Sequence, residues 1–438
     1  MGKRVLLCLA HMSGKEIDFI KEAFADNWVV PLGPNVNGFE EDLRSFLMAS
    51  DCGEKESCKY NDTNSELYGK LNPQVAALSA GTAAVHLALT AVGVKSGDEV
   101  MVQSFTFCAS SHPVTYLGGV PVFVDSERDT WNMDPELLDQ AIADRVEKTG
   151  KKPKAIVIVH LYGMPAKLDE IAKVAAKWDI PVIEDAAEAF GSEYACRRCG
   201  TFGHFGILSF NGNKMITTSG GGALVCPNEE SRKKIMFLAT QARENYPYYQ
   251  HEEIGFNYRM SNICAGIGRG QMTILNEHIA HHRHIQKLYE ELFAGVKGLE
   301  MHCNPDEKFN SNYWLCTLTI DPALKVKGMD KAYKASSSSP VGGVAAVTME
   351  AKNLTTSCQP NDNVEALRLA LDAEGIESRP LWKPMHLQPV YANNPAYVNG
   401  VSEELFKIGL CLPAGPWVTD EDVKRIVDVI KSNLEAVD

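Results

Sequence analysis

Between residues 74 and 226, short apolar runs alternate with amphipathic stretches. Gln74–Leu78, Glu99–Gln103, Val120–Val124, Ala155–Val159 and residues 181–184 are runs rich in valine, isoleucine and alanine, the pattern of strands buried on both faces. Residues 82–92, 134–146 and 167–178 carry apolar positions three and four apart, the spacing of helices with one buried face. The alternation predicts an α/β domain with a mostly parallel sheet. Ligands on such sheets sit in the crevice beyond the strand ends.

Upstream, Ser13-Gly14-Lys15-Glu16 fits a capping box opening a helix that ends near Asn27, and a second helix is predicted over 39–48. Downstream, 261–293 predicts one long helix rich in His and Gln. Residues 314–320 predict a strand and 363–374 a helix, and a last helix begins after Thr419 and runs to about Val437. Two stretches break the pattern. Residues 51–73 are polar with little periodicity and read as an inserted surface loop. Residues 325–363, with serines at 336–339 and few large apolar side chains, read as a mobile loop. The expected organisation is a large domain over 1–260 and a smaller one over 261–438.

Composition narrows the class. The chain has 438 residues, 45% hydrophobic and 23% charged, as in ordinary globular proteins. Its net charge of -13 argues against a nucleic-acid binder, which should be basic. No apolar run approaches a membrane span, and the run at 5–10 is too short for the core of a secretory signal, so a cytoplasmic protein is expected. The 12 cysteines lack framework spacing and are expected to be reduced thiols. Cys196-Arg197-Arg198-Cys199 is a single C-x-x-C with no second pair or His partner at ligand spacing, so no metal site is expected.

Four segments carry candidate chemistry. In Leu78-Ser79-Ala80-Gly81-Thr82 a strand turns into a helix, whose first amides suit either an anion or a plain cap. In Pro181-Val182-Ile183-Glu184-Asp185-Ala186-Ala187-Glu188 a buried strand ends in carboxylates, which are costly to bury unpaired; Asp185 serves equally as a helix cap. Lys214 follows Ser209-Phe210-Asn211-Gly212-Asn213 and precedes a glycine run at 220–222. It is either a nucleophile activated by partial desolvation or a surface lysine at a turn. In Ser104-Phe105-Thr106-Phe107 an aromatic beyond a strand suits stacking on a planar ligand or core packing.

Taken together and in this order, these segments resemble the DegT/DnrJ/EryC1/StrS family of sugar aminotransferases, fold type I enzymes that use pyridoxal phosphate (PLP). Gly255-Phe256-Asn257-Tyr258-Arg259-Met260-Ser261-Asn262 and Leu381-Trp382-Lys383-Pro384-Met385-His386 extend the likeness toward members that aminate C4 of UDP-4-keto-6-deoxy sugars. The resemblance implies a mostly parallel seven-stranded sheet flanked by helices, with a smaller C-terminal α+β domain. It implies Lys214 as the Schiff-base lysine and Asp185 as partner of the ring nitrogen. Ala80, Gly81, Thr82 and Ser209 would form the phosphate cup, Phe107 would stack on the ring, and Glu188 would lie near the cofactor hydroxyl. Asn257 would reach the phosphate of a neighbouring subunit, so a homodimer with shared sites is implied. The substrates implied are L-glutamate and a nucleotide sugar, serving surface polysaccharide or glycan biosynthesis. Arg259, Lys383 and His386 are the cations expected to meet the sugar nucleotide, with Arg243 and His160 behind them.

The chain departs from the family at Cys196-Arg197-Arg198-Cys199 and in the 51–73 insertion with Cys52 and Cys58. Sugar dehydratases of the same fold carry His in place of the lysine, so Lys214 argues against that reaction. A non-enzymatic PLP or sugar sensor would need a DNA-binding domain for which the chain shows no room.

Overall fold

Ala155–Val159 is buried at all five positions, and Glu99–Gln103 and Val182–Asp185 flank it as parallel strands. Strands apolar on both faces need a helical layer on each side. The computed structural model, which describes residues 4–49, 72–332 and 358–435, has that arrangement. Its main sheet runs in the order Gln74–Leu78, Gly222–Cys226, Phe205–Ser209, Val182–Asp185, Ala155–Val159, Glu99–Gln103, Val120–Val124, Ala396–Tyr397. Gly222–Cys226 alone runs antiparallel to its neighbours. Seven of these strands form the expected sheet. The eighth, Ala396–Tyr397, comes from the C-terminal region and is too short to leave a periodic signal.

Local chemistry sets the helix ends. Asp134 caps Pro135–Thr149 by accepting from the Glu136 and Leu137 amides, and Gly150 closes the helix at a φ of 70°. The capping box at Ser13 forms by half. The Glu16 carboxylate accepts the Ser13 amide at 2.8 Å, but Ser13 Oγ accepts from Lys15 and the helix spans Glu16–Ala25. The second helix begins earlier than expected, at Pro34, whose fixed φ suits a first turn.

The long helix expected over 261–293 is two, Asn262–Met272 and Leu275–Phe293. The reason lies in what each half packs on. The first is glycine-rich and lies close against the N-terminal helices: a Cβ on Gly268 would meet the Phe39 ring at 2.7 Å, and one on Gly270 would meet the Glu16 backbone at 2.7 Å. The second buries Ile285, Tyr289 and Phe293 in a separate core with Leu318, Ile320, Leu367 and Ile426. One straight rod cannot serve both.

That separate core belongs to an antiparallel sheet ordered Leu299–Met301, Cys316–Ile320, Gly409–Leu412, Arg379–Pro380. The helices Asp362–Ala373 and Asp420–Asn433 complete an α+β unit. Thr419 and Asp422 form a full capping box on the last helix, which ends at Asn433 rather than near 437. The N-terminus joins this unit, with Val5 bridged to Ile376 and the Leu7 carbonyl accepting the Ala414 amide. Residues 51–71 of the inserted loop and 333–357 of the serine-rich loop lie outside the described residues. No helix among the described residues is long and apolar enough to cross a membrane.

The C-x-x-C segment folds as a tight hairpin, Glu193–Tyr194 against Arg197–Arg198, with Ala195 and Cys196 at φ 46° and 64°. Two consecutive left-handed residues match the twist of a two-residue hairpin turn, a geometry Asn-Gly adopts more readily. Cys199 is a buried free thiol.

Candidate active site

The sheet register brings the chemistry-bearing segments to one edge. Val159 pairs with Asp185, Asp185 with Ile207, and Gly222 with both Leu78 and Ser209. The strands that end here carry their loops into one crevice. It holds a cavity of about 330 Å³ walled by residues 79–82, Phe107, Asp185, Glu188, Ser209, Lys214, Trp314 and Trp382, among others.

At one end the helix Gly81–Ala91 begins. Ala80 caps it in an extended conformation without a side-chain hydrogen bond, so the first-turn amides have no side-chain acceptor. Two glycines make the approach possible. A Cβ on Gly81 would lie 3.0 Å from the Ser209 Cβ, and one on Gly222 would lie 2.4 Å from the Gly81 nitrogen. Gly222→Ala therefore forces backbone apart at the cup. It is expected to cost about 1–3 kcal/mol, roughly tenfold or more in affinity for a phosphate-bearing cofactor, measurable by titration of the cofactor-free protein.

At the other end Asp185 is buried. Its carboxylate accepts from the Ser110 hydroxyl at 2.7 Å and from the Ala187 amide at 3.2 Å, and Thr106 Oγ1 backs Ser110 at 2.9 Å. Burial pushes the Asp185 carboxyl above its ordinary range, only partly offset by Ser110, Ala187 and the charges of Lys214 and His160. Burial likewise raises Glu188, against Lys214 and the Tyr162 amide. Glu188 accepts that amide at 2.8 Å and faces Lys214 Nζ at 3.5 Å. Lys214 Nζ also lies 4.1 Å from the Trp314 ring centroid, in cation–π contact. Phe107, half exposed, leans on Trp382 with ring centroids 5.4 Å apart.

The structure thus gathers Ala80, Gly81, Thr82, Phe107, Asp185, Glu188, Ser209 and Lys214 around one cavity. It does not bring the expected cations there. His386 Nδ1 lies 2.6 Å from Ser104 Oγ, and burial holds its imidazole below the usual range. Lys383 donates to the Cys358 carbonyl at 3.3 Å. Arg259 is bridged through its backbone to Leu78, with its Nε buried. Arg243 is exposed and stacks on Tyr249. Asn257 is exposed and bridged to Thr240, away from the cavity of its own chain.

His160 is a correction of a different kind: it is a buried structural partner, not a substrate cation. Its Nε2 lies 2.8 Å from Glu184, and its Nδ1 accepts the Ala166 amide. Ligand atoms of His160, Glu184 and Cys199 lie within 4.8 Å of one another. Both ring nitrogens are engaged, and the Glu184 oxygens accept amides of Gly200, Phe202 and Gly203, so a metal would have to displace existing bonds. Burial pushes the Glu184 carboxyl up, but His160 and the Gly200 and Gly203 amides outweigh it and hold it below its ordinary range. A depressed carboxyl stabilises the fold above its unfolded pKa and loses that contribution as pH falls through the folded one. Glu184→Gln is expected to cost about 3 kcal/mol at neutral pH, with the gap in Tm closing in acid.

Ser110, Tyr162, Trp314 and Trp382 also build the site and carried no separable signal. Trp314 opens an ordinary strand pattern far from Lys214 in sequence. Trp382 lies inside the Leu381–His386 motif, beside the charged Lys383. Tyr162 presents its amide to Glu188 only because its φ is 55°, which sequence does not announce.

A cup that a single extra Cβ would close, a buried carboxylate and a lysine in one cavity fit pyridoxal phosphate. The model of the DegT/DnrJ/EryC1/StrS aminotransferase family matches residues 65–343 and 345–431. EpsN of Bacillus subtilis (strain 168), provisionally named a pyridoxal phosphate-dependent aminotransferase, is 42% identical over 435 residues, covering 98% of this chain and 96% of its own. The GDP-perosamine synthase of Escherichia coli O157:H7 is 30% identical over 419 residues, 96% and 95% of the two chains. Among solved structures, a DegT DnrJ EryC1 StrS aminotransferase from Brucella abortus superposes with a TM-score of 0.76 at 26% identity, covering 96% of this chain and 95% of that one.

Proposed function

Because the chain belongs to the DegT/DnrJ/EryC1/StrS family of PLP-dependent sugar aminotransferases, we propose that it moves an amino group from L-glutamate to C4 of a nucleotide-linked 4-keto-6-deoxy sugar. The observation that carries this reading is the placement of Lys214, Asp185 and the Gly81 turn around one cavity.

The residues divide the work. Ala80, Gly81, Thr82 and Ser209 would hold the phosphate, and Asp185 would keep the pyridine nitrogen protonated. When bound, pyridoxal phosphate supplies a sink for the electrons freed as a carbon–hydrogen bond breaks. Lys214 would hold the cofactor covalently at rest. Its free Nζ would take the proton from the α-carbon of glutamate in the first half-reaction and deliver a proton to the sugar's C4 in the second. Glu188, 3.5 Å away, would orient the amine. Phe107 and Trp382 form an apolar wall that limits water near the reacting carbon.

A homodimer is part of the proposal. Asn257 lies outside its own cavity, and Tyr248, Tyr249 and Ile254 on the preceding loop are strongly exposed. Both features suit a segment completed by a second copy.

The nucleotide expected from the motifs is UDP; the relative named GDP-perosamine synthase favours GDP as a second reading. The test is a panel of 4-keto sugars on UDP, GDP and dTDP with L-glutamate, and products identified by mass and NMR. Amination at C4 of a UDP sugar is the expected outcome. Preference for the GDP sugar would select the second reading, and amination at C3 would overturn the position.

A further inference from the structure

The carbonyls of both residues that flank Lys214 are held by ring nitrogens. Trp314 Nε1–H donates to the Asn213 carbonyl at 2.6 Å. His278 Nδ1 lies 3.1 Å from the Met215 carbonyl. A carbonyl only accepts, so His278 carries a proton on Nδ1, which leaves its Nε2 to accept from His11 Nδ1 at 3.2 Å. The Lys214 amide donates to the Asn211 carbonyl at 3.0 Å. The lysine's own amide and the carbonyls of both its neighbours are therefore engaged, and the Trp314 ring face lies under its amine as well.

Both rings are buried, Trp314 to 2% exposure and His278 to 4%. Neither comes from the segment that bears the lysine. Trp314 precedes the strand Cys316–Ile320 of the small sheet, and His278 is on the helix Leu275–Phe293. Holding a long, flexible side chain by its own backbone is the economical way to aim it. A flexible lysine must bring Nζ to two different carbons in turn, and a misplacement of about 1 Å is enough to cost about 100-fold in rate.

We propose that Trp314 and His278 are positioning residues for Lys214, two ring N–H donors that clamp its flanking carbonyls and so set where its amine can reach. The inference rests on Lys214 being the residue that captures the cofactor. It goes beyond that role by assigning the precision of the lysine to the C-terminal half of the chain.

The test uses the full chain freed of cofactor. Pyridoxal phosphate is added, the rate of its covalent capture is followed by absorbance, and the modified residue is located by borohydride reduction and peptide mass. Trp314→Phe keeps a ring face and loses the N–H, His278→Leu loses its donor, and His278→Asn keeps one. Trp314→Phe and His278→Leu are expected to slow capture at Lys214 about tenfold or more, with His278→Asn close to wild type. Wild-type capture rates in Trp314→Phe and His278→Leu would overturn the clamp. So would slowing that tracks lost Tm and is not rescued by His278→Asn. Covalent capture persisting in Lys214→Ala would instead refute the underlying assignment of the lysine.

Discussion

Lys214→Ala is expected to lower amino transfer by about a thousandfold or more, since the change removes a positioned acid–base group from both half-reactions. The geometry explains why nothing nearby replaces it. The other groups around the cavity that hold or accept protons are Asp185, Glu188 and hydroxyls of Ser and Thr. Asp185 is committed to Ser110 and the ring nitrogen it would face, and Glu188 to the Tyr162 amide, so neither carboxylate is free to take over at carbon. The fold is expected to survive, because the two carboxyls can take up protons when the amine is gone. The measurement is the single-turnover rate with L-glutamate, beside a melting curve. Lys214→Arg should be equally inactive, because the guanidinium keeps a charge but cannot give up its proton at working pH.

Asp185→Asn is expected to reduce the rate by about 100- to 1000-fold, the scale of losing one preorganised charge at a reacting group. Asn keeps the shape and can still accept the Ala187 amide. Ser110 can turn its hydroxyl to accept from the new amide, with Thr106 supporting it at 2.9 Å. What is lost is the negative charge facing the ring nitrogen. The same change should raise the Tm of the cofactor-free protein at neutral pH. A carboxyl whose folded pKa lies above its unfolded one stabilises the fold in acid and loses that contribution as pH rises through the folded value. At neutral pH Asp185 is a burden that the empty protein carries for the sake of its cofactor, and Asn removes it. Loss of activity without the gain in stability would mean that the carboxylate is better compensated than its burial implies.

Much of this site is legible in sequence because it is built from short contiguous motifs at strand ends. Gly81 and Asp185 sit where predicted strands stop, so the sheet's alternation already places them on one edge, while Ser209 and Lys214 are joined to them by the family resemblance, because the strand Phe205–Ser209 is not read from the pattern. The helical layers follow from periodicity in the same way, whereas the α+β character of the C-terminal unit comes from the family resemblance, since three of its four strands are too short to leave a pattern. What stays illegible depends on distance in the chain or on backbone conformation. Trp314 and His278 read as a strand residue and a helix residue until the fold lays them against 213–215. The break between Asn262–Met272 and Leu275–Phe293 is hidden because both halves are amphipathic, and only their different partners separate them. The cations Arg259, Lys383 and His386 were reasonable by type, yet within one chain their partners are a backbone bridge, a carbonyl and a hydroxyl. Glu184 and His160 show the opposite error risk, since residue types suited to catalysis or metal binding form a saturated buried pair.

The most direct test of the account is the glutamate half-reaction without any sugar. Protein loaded with pyridoxal phosphate is mixed with L-glutamate, and the long-wavelength absorbance of the bound cofactor is followed while released 2-oxoglutarate is assayed. The band is expected to disappear, 2-oxoglutarate to form in an amount stoichiometric with the protein and then stop, and Lys214→Ala to do neither at a comparable rate. An unchanged band with no 2-oxoglutarate from glutamate or any other amino acid would contradict it.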